Sequence, residues 1–419
     1  MKKAPSGGAL RSANLSAHVS TNERNRWTIL ALLSAAELLG MSPWFTASAV
    51  SPQLANLWSL EPGQTSWLTT AVLLGFVAGT AVAAILNLAD VVPGRRYFAV
   101  SALLAAAVNA AVAMAPGFAI ALGLRFLTGF FLAGVYPPAM KMVATWFRSG
   151  RGIAIGTVVG ALTIGKAMPF LIQSVEGIGH HTVIFSASAA AVASALLVGL
   201  FYRDGPEPFE RRPFSWSLVG TVLHDRPTRL AIGGYLGHMW ELYAGWTALS
   251  LFFYDFFAGH GLDGARALSV AALTAFGAIA MGGLGSVLAG LWADRFGREN
   301  IASAAMVVSG ACTLAIGWLS AAPIGIVVFL AMVWGFAIVA DSAQFSALVT
   351  EVAPRHAVGT ALTLQTSLGF LLSAGTIWLM IEVETRAGWG AALSMLAVGP
   401  VIGIWQMVRL KAVRIRNTA

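Results

Sequence analysis

The chain has 419 residues, of which 57% are hydrophobic and only 11% charged, and its mean hydropathy is +0.75. A water-facing surface takes about 25% charged residues, so these figures exclude a soluble enzyme, a nucleic-acid binder and a disordered chain. The net charge of +8 is therefore read first against a membrane, and the lone cysteine, Cys312, rules out an intrachain disulfide.

Residues 1–26 form a polar, basic tail with Lys2, Lys3, Arg11, Arg24 and Arg26. The run from Trp27 to Val50 is too long for a signal-peptide core and reads as a retained first span. Apolar runs of spanning length follow at 65–89, 97–115, 117–146, 152–173 and 181–202. A polar loop, 203–227, interrupts them, and six more runs occupy 228–254, 265–293, 300–321, 323–349, 358–381 and 388–408. A short tail, 409–419, ends the chain. The prediction is an all-α membrane protein of twelve spans, six in 27–202 and six in 228–408. Membrane strands would be about 10 residues long with alternating polarity, unlike these continuous runs.

Placing both termini in the cytoplasm puts 21 of the 26 Lys and Arg residues in the tails and even-numbered connections. Arg266 and Arg386 fall on the other side, and Arg125, Lys141 and Lys166 fall within spans. This positive-inside pattern explains the basic balance with no nucleic-acid partner.

The two halves carry matching marks. Asp90 follows span 2 and Asp294 follows span 8, an offset of 204; Glu37 in span 1 and Glu241 in span 7 share the same offset. Arg151-Gly-Ile-Ala and Val358-Gly-Thr-Ala match at 207. Three pairs near half the chain length predict a duplicated six-helix unit.

These marks carry a resemblance. Gly290 with Asp294-Arg295-Phe-Gly297-Arg298 looks like the loop motif of the major facilitator superfamily of secondary transporters. Asp90, followed by Val91 and Val92 before Arg95 and Arg96, is a degraded first-half copy, and Arg125-Phe-Leu-Thr-Gly129 with Gly134 looks like the motif of the fourth helix. The resemblance covers nearly the whole chain. It implies two pseudo-symmetric six-helix bundles, alternating access and a monomer; separately, with no nucleophile–base pair, metal cluster or phosphate loop in the sequence, no activity as an enzyme is expected. Met140-Lys-Met-Val-Ala-Thr-Trp-Phe147 with Arg151-Gly-Ile-Ala-Ile-Gly156 is loosely similar to the nitrate and organic-anion branches. Span 2 lacks Lys and Arg and span 8 has only the outer Arg266, which speaks against nitrate itself.

A charge at mid-bilayer costs about 2.5–3.5 kcal/mol on insertion scales. A rise of about 1.5 Å per residue places Glu37, Arg125, Lys166, His238 and Glu241 in one central slab. Glu37 and Arg125 read as a proton-coupling pair, as the resemblance also implies, or as a permanent salt bridge that fixes packing. Lys166, on a face with Gln173, reads as the contact for an anionic substrate group or as charge balance. His238 and Glu241, one turn apart, read as a second protonation site; a lone His-x-x-Glu has too few ligands for a metal. Trp44, Tyr136 and Trp246 are candidate cavity walls at mid-depth, ahead of Trp240 and Tyr243. Asp341 and Lys141, near the cytoplasmic ends of spans 10 and 4, read as gating or structural groups that snorkel to water. The resemblance makes Asp90, Arg95, Arg96, Asp294, Arg295 and Arg298 cytoplasmic latches. Gly152, Gly156 and Gly160 form a small-residue stripe on span 5, suited to close helix approach.

The leading expectation is a proton-coupled transporter of a small organic anion in a bacterial inner membrane. It needs no cofactor beyond the proton gradient, and its partners are substrate, protons and lipid. The alternative is a proton-driven exporter of drugs or lipophilic cations.

Overall fold

A computed structural model describes residues 25–147, 150–206 and 214–418, and every regular element among them is helical. Lipid demands this outcome, because helices satisfy their own backbone groups. The first half contains α1 (25–40), α2 (Thr46–Ala49), α3 (Ser51–Trp58), α4 (Pro62–Ile85), α5 (Leu88–Val91), α6 (Gly94–Val112), α7 (Phe118–Leu132), α8 (Tyr136–Ala144), α9 (Arg151–Gln173) and α10 (His180–Phe201). The second contains α11 (Val219–His224), α12 (Arg226–Gly259), α13 (Gly264–Phe296), α14 (Arg298–Ile316), α15 (Ile324–Ala340), α16 (Ser342–Val352), α17 (Val358–Ser394) and α18 (Val398–Thr418).

Eight helical segments among the described residues are long and apolar enough to cross a membrane. Seven coincide with predicted spans 2, 4, 5, 6, 8, 9 and 10; the eighth, Arg355–Arg416, runs through predicted spans 11 and 12. Gly388, at φ 76, turns the chain inside it. The other three predicted spans are more polar or interrupted: α6 carries Arg95, Arg96 and Asn109, α12 carries His238 and Glu241, and the first run is broken.

The breaks have local causes. Pro43 cannot donate an N–H and its ring opposes the carbonyl four residues back; that carbonyl, of Leu39, accepts instead from Ser42 Oγ at 2.8 Å. Residues 41–45 are therefore turns rather than helix. Pro137 and Pro138 follow the similar interruption between α7 and α8. Asp341 marks the junction of α15 and α16. Where helices begin on charged caps the bonds are conventional: Asp225 accepts from Thr228 N and Asp263 from Arg266 N, each at 3.0 Å.

Glycine decides which helices touch most closely. The Gly152-Gly156-Gly160 stripe of α9 lies along Gly290, Ser286 and Gly283 of α13, running in the opposite direction. A Cβ at Gly160 would stand 2.8 Å from the Gly283 carbonyl oxygen, and one at Gly156 would stand 3.1 Å from that of Ser286. At Gly152 the nearest atom would be Asp294 Oδ2 at 3.5 Å. The contact continues to the far end of both helices, where Ser269 Oγ donates to the Ser174 carbonyl. The motif glycines work similarly: a Cβ at Gly129 would run into the Val72 backbone of α4, and one at Gly134 into Ser101.

Candidate functional site

The first charged group of the centre, Arg125, is wholly buried. Its guanidinium donates to the Pro43 carbonyl at 2.9 Å, to Thr46 Oγ1 at 2.9 Å and to Asn109 Oδ1 at 3.0 Å. It also donates to the carbonyls of Trp44 and, at 3.4 Å, Leu68. The break at Pro43 leaves carbonyls without helical donors, and the five N–H groups of an arginine suit that task. Thr46 Oγ1 and Asn109 Oδ1 also lie 2.8 Å apart, and the Asn109 amide continues to Ser188 Oγ at 2.9 Å.

The expected Glu37–Arg125 pair is not formed. Glu37 is wholly buried and neither carboxyl oxygen has a hydrogen-bond partner among the described residues. Lys166 is the cation within its electrostatic reach, and Tyr136, half-buried at the start of α8, is also within it. The reason is the break itself: the bent segment draws Arg125 to backbone oxygens and away from the carboxylate.

Lys166 joins elements from both halves. Its Nζ donates to Tyr243 Oη at 2.6 Å. It lies 4.1 Å from the ring centre of Trp44, 5.0 Å from that of Tyr243 and 5.8 Å from that of Trp246. Rings lined up in this way attract an ammonium through their faces. Phe45 and Phe370 pack on Tyr243, with ring centres 6.4 and 5.1 Å away. Lys166, Trp44, Tyr243 and Trp246 are each no more than 4% exposed. The indole N–H groups of Trp44 and Trp246 have no acceptor among the described residues. Tyr243, a lesser candidate by depth, thus makes the direct contact. Gln173 is buried two turns along α9, with its side-chain oxygen also unpartnered among the described residues, and takes no part in the ring cluster.

The second charged cluster differs from the sequence reading. Asp341, expected near a helix end and reaching for water, is 2% exposed. Its Oδ1 lies 2.8 Å from His238 Nδ1. Span 10 runs as α15 and α16 from Ile324 to Val352, and its break at Asp341 is turned inward against His238 of α12 rather than toward the cytoplasm. The Tyr235 and Phe345 rings flank His238 at 6.0 and 5.6 Å, and His238 Nε2 has no partner among the described residues. The expected His238–Glu241 pair is accordingly divided. Glu241 accepts from Ser309 Oγ at 2.9 Å, Thr313 Oγ1 at 2.5 Å and Trp334 Nε1 at 2.8 Å. Sequence patterning does not single out Ser309, Thr313, Trp334 or Asn109. The available signals are a hydroxyl one turn from another hydroxyl and a lone amide in an apolar run.

At the basic end, Arg298 donates to Glu351 Oε1 at 2.7 Å and Gln344 Oε1 at 3.0 Å, and reaches Asp294 Oδ1 at 3.5 Å. Arg414 bridges Glu299 and Glu351 at 2.9 and 3.0 Å. The structure therefore ties α13, α14, α16 and α18 together here. Arg295 instead lies over Phe296, 5.3 Å from its ring centre. Arg95 and Arg96 are exposed at the start of α6, and the side chain of Asp90 lies outside the described residues. Among the described residues no group of three or more His, Cys, Asp or Glu side chains could hold a metal ion.

Residues 32–377 match the family described as Major Facilitator Superfamily. One relative, the MFS transporter asaE of Aspergillus flavus, is 26% identical over 231 residues, 54% of this chain and 50% of that protein. The chain thus spans about half the length of the curated relative it matches. The solved D-xylose-proton symporter superposes with a TM-score of 0.70 at 15% identity, covering 92% of this chain and 97% of that one. The nucleoside transporter NupG gives 0.69 at 14% identity over 91% and 99% of the two chains. A bacterial homologue of the lysosomal transporter Spinster gives 0.64 at 15% identity over 92% and 94%.

Proposed function

We infer the function from a premise that the match over residues 32–377 establishes: this chain belongs to the Major Facilitator Superfamily and is a membrane-embedded transporter of small molecules. Its twelve spans work as two halves, with the basic end in the cytoplasm. The substrate is a small organic anion, and a proton gradient drives it.

One observation carries the substrate class. Lys166, Tyr243 and the two unsatisfied indole N–H groups of Trp44 and Trp246 form a buried cluster rich in donors. Unmade hydrogen bonds of buried donors are costly, and a carboxylate entering this cluster would satisfy them. Glu37 supports the proton coupling. It faces no donor among the described residues, and a buried carboxyl without donors is far better tolerated neutral than ionised. It also senses the Lys166 charge, so an anion that binds Lys166 alters the field in which Glu37 gains or loses its proton.

Purified protein in proteoliposomes is tested with lactate and succinate under an inward proton gradient. Uptake of either, lost in Lys166→Ala and uncoupled from the gradient in Glu37→Gln, is the expected result. Normal uptake by Lys166→Ala would overturn the substrate contact.

A second reading rests on the same rings. The Trp44, Tyr243 and Trp246 faces already hold an ammonium, that of Lys166, which is the chemistry that recognises organic cations. An exporter of lipophilic cations would extrude a cationic dye, and Lys166→Ala would improve rather than abolish that export.

A further inference from the structure

Above the ring cluster, on the side away from the basic end, a small crevice opens between the halves. Seven of its eight lining residues are Ser or Thr. Ser48 and Ser51 come from α2 and α3, Ser66 and Thr69 from α4, and Thr247 and Ser250 from α12. A chain that is 57% hydrophobic has no packing reason to gather hydroxyls at one opening. The free space is about 10 Å³, enough for roughly one water molecule.

Some of these hydroxyls are committed. Ser48 and Thr69 bond each other at 2.6 Å, Ser66 donates to the Gly63 carbonyl at 2.9 Å, and Thr247 donates to that of Tyr243 at 2.8 Å. Ser51, 6% exposed, and Ser250 also line the crevice, and neither takes part in these bonds. The crevice also leads somewhere. Ser48 is four residues beyond Trp44, and Thr247 four beyond Tyr243. On α12 the wall at Thr247 is thus about one helical turn, roughly 6 Å along the axis, from Tyr243, which touches Lys166.

We propose that this crevice is the entrance subsite for the substrate: its uncommitted hydroxyls, those of Ser51 and Ser250, donate hydrogen bonds to a small carboxylate before Lys166 receives it. The proposal rests on the anion reading above and adds the route and the polar filter. Hydroxyls replace the water around a small hydrophilic anion. They offer little to the apolar bulk of a lipophilic cation, and the Lys166 charge below favours anions over cations. Passage requires the halves to separate there, which the hydroxyl-rich lining allows with little apolar surface exposed.

The test uses the native cysteine content. Cys312 is buried, so Cys312→Ser gives a background in which Ser51→Cys supplies the one thiol. The full protein in vesicles is treated with sulfonatoethyl and trimethylammonioethyl methanethiosulfonate, each rate divided by that reagent's rate with a free thiol. The expected result is modification of the introduced thiol with at least about fivefold preference for the anionic reagent, lost when Lys166→Ala is added. Ser250→Cys repeats the measurement should the first variant not fold. Equal rates, or preference for the cation, in the variant that folds would overturn the subsite. Labelling needs no transport, so the two proposals fail separately. Missing anion uptake with anionic preference intact overturns the transport reading alone, and intact uptake without preference overturns the crevice alone.

Discussion

Asp341 Oδ1 lies 2.8 Å from His238 Nδ1, and the pair stands where α15 gives way to α16. Asp341 thus occupies the junction of two helical segments, and its carboxylate fastens that junction to α12. Removing one member of a buried pair costs about 3–5 kcal/mol, because the other is left uncompensated. His238→Gln and Asp341→Asn should each lower the melting temperature, and the double variant should be no less stable than the worse single one. Additive losses in a thermal unfolding cycle would show that the two side chains act independently.

The two half-related acids should behave oppositely on substitution. Glu241 accepts three hydrogen bonds, whereas Glu37 accepts none from the described residues. Glu241→Ala strands the Trp334 indole N–H, at about 1–3 kcal/mol for a donor left unsatisfied, and leaves Ser309 and Thr313 only their bonds to the Met306 and Ser309 carbonyls. Glu37→Gln strands nothing. We expect a large fall in melting temperature for the first and little change for the second, with gradient-driven uptake lost in the second despite its intact fold.

Arg125 should be irreplaceable by lysine. Its fork reaches carbonyl and side-chain oxygens in several directions, and one ammonium on a flexible stem cannot cover the same set. Arg125→Lys should reduce uptake by about tenfold or more, the equivalent of roughly 1.4 kcal/mol of lost organisation around Trp44. Thr46→Val or Asn109→Leu should reproduce part of the loss. Uptake by Arg125→Lys equal to that of the parent would refute the role assigned to the fork.

Along the α9–α13 contact, sensitivity to alanine should follow distance. Gly160→Ala places a methyl 2.8 Å from a carbonyl oxygen, Gly156→Ala places one 3.1 Å from another, and Gly152→Ala meets nothing nearer than 3.5 Å. Loss of uptake should be greatest for Gly160, smaller for Gly156 and least for Gly152, with Gly152→Ala close to the parent. The opposite order in an uptake series would mean that this contact is not what limits the movement.

Much of the fold is readable before any coordinates. Long apolar runs locate the helices because lipid leaves backbone no other arrangement, and scarcity of charge singles out Glu37, Arg125, Lys166, His238 and Glu241, all of which are buried. What escapes is pairing. Depth along an ideal straight helix sets Glu37 opposite Arg125, but Pro43 bends the first span and presents bare carbonyls to the guanidinium. Distance from the end of an apolar run sets Asp341 near water, but the break between α15 and α16 turns it inward to His238 of α12. The partner of the Gly152-Gly156-Gly160 stripe is present in the sequence as Gly283, Ser286 and Gly290, yet periodicity on one helix does not say which other helix it meets. Each miss is a relation between two elements, and a one-dimensional pattern describes elements singly.

The glycine contact between α9 and α13 has a kinetic consequence. Interlocked side chains must unmesh one rotamer at a time, so a surface built from them parts over a high barrier. Here backbone faces backbone, as at Gly160 and Gly283, with no side chain inserted between them. Such a surface is held by many weak contacts, including Cα–H···O approaches, which fade together within a fraction of an ångström. It should open as a smooth slip plane, strong when shut and quick to release.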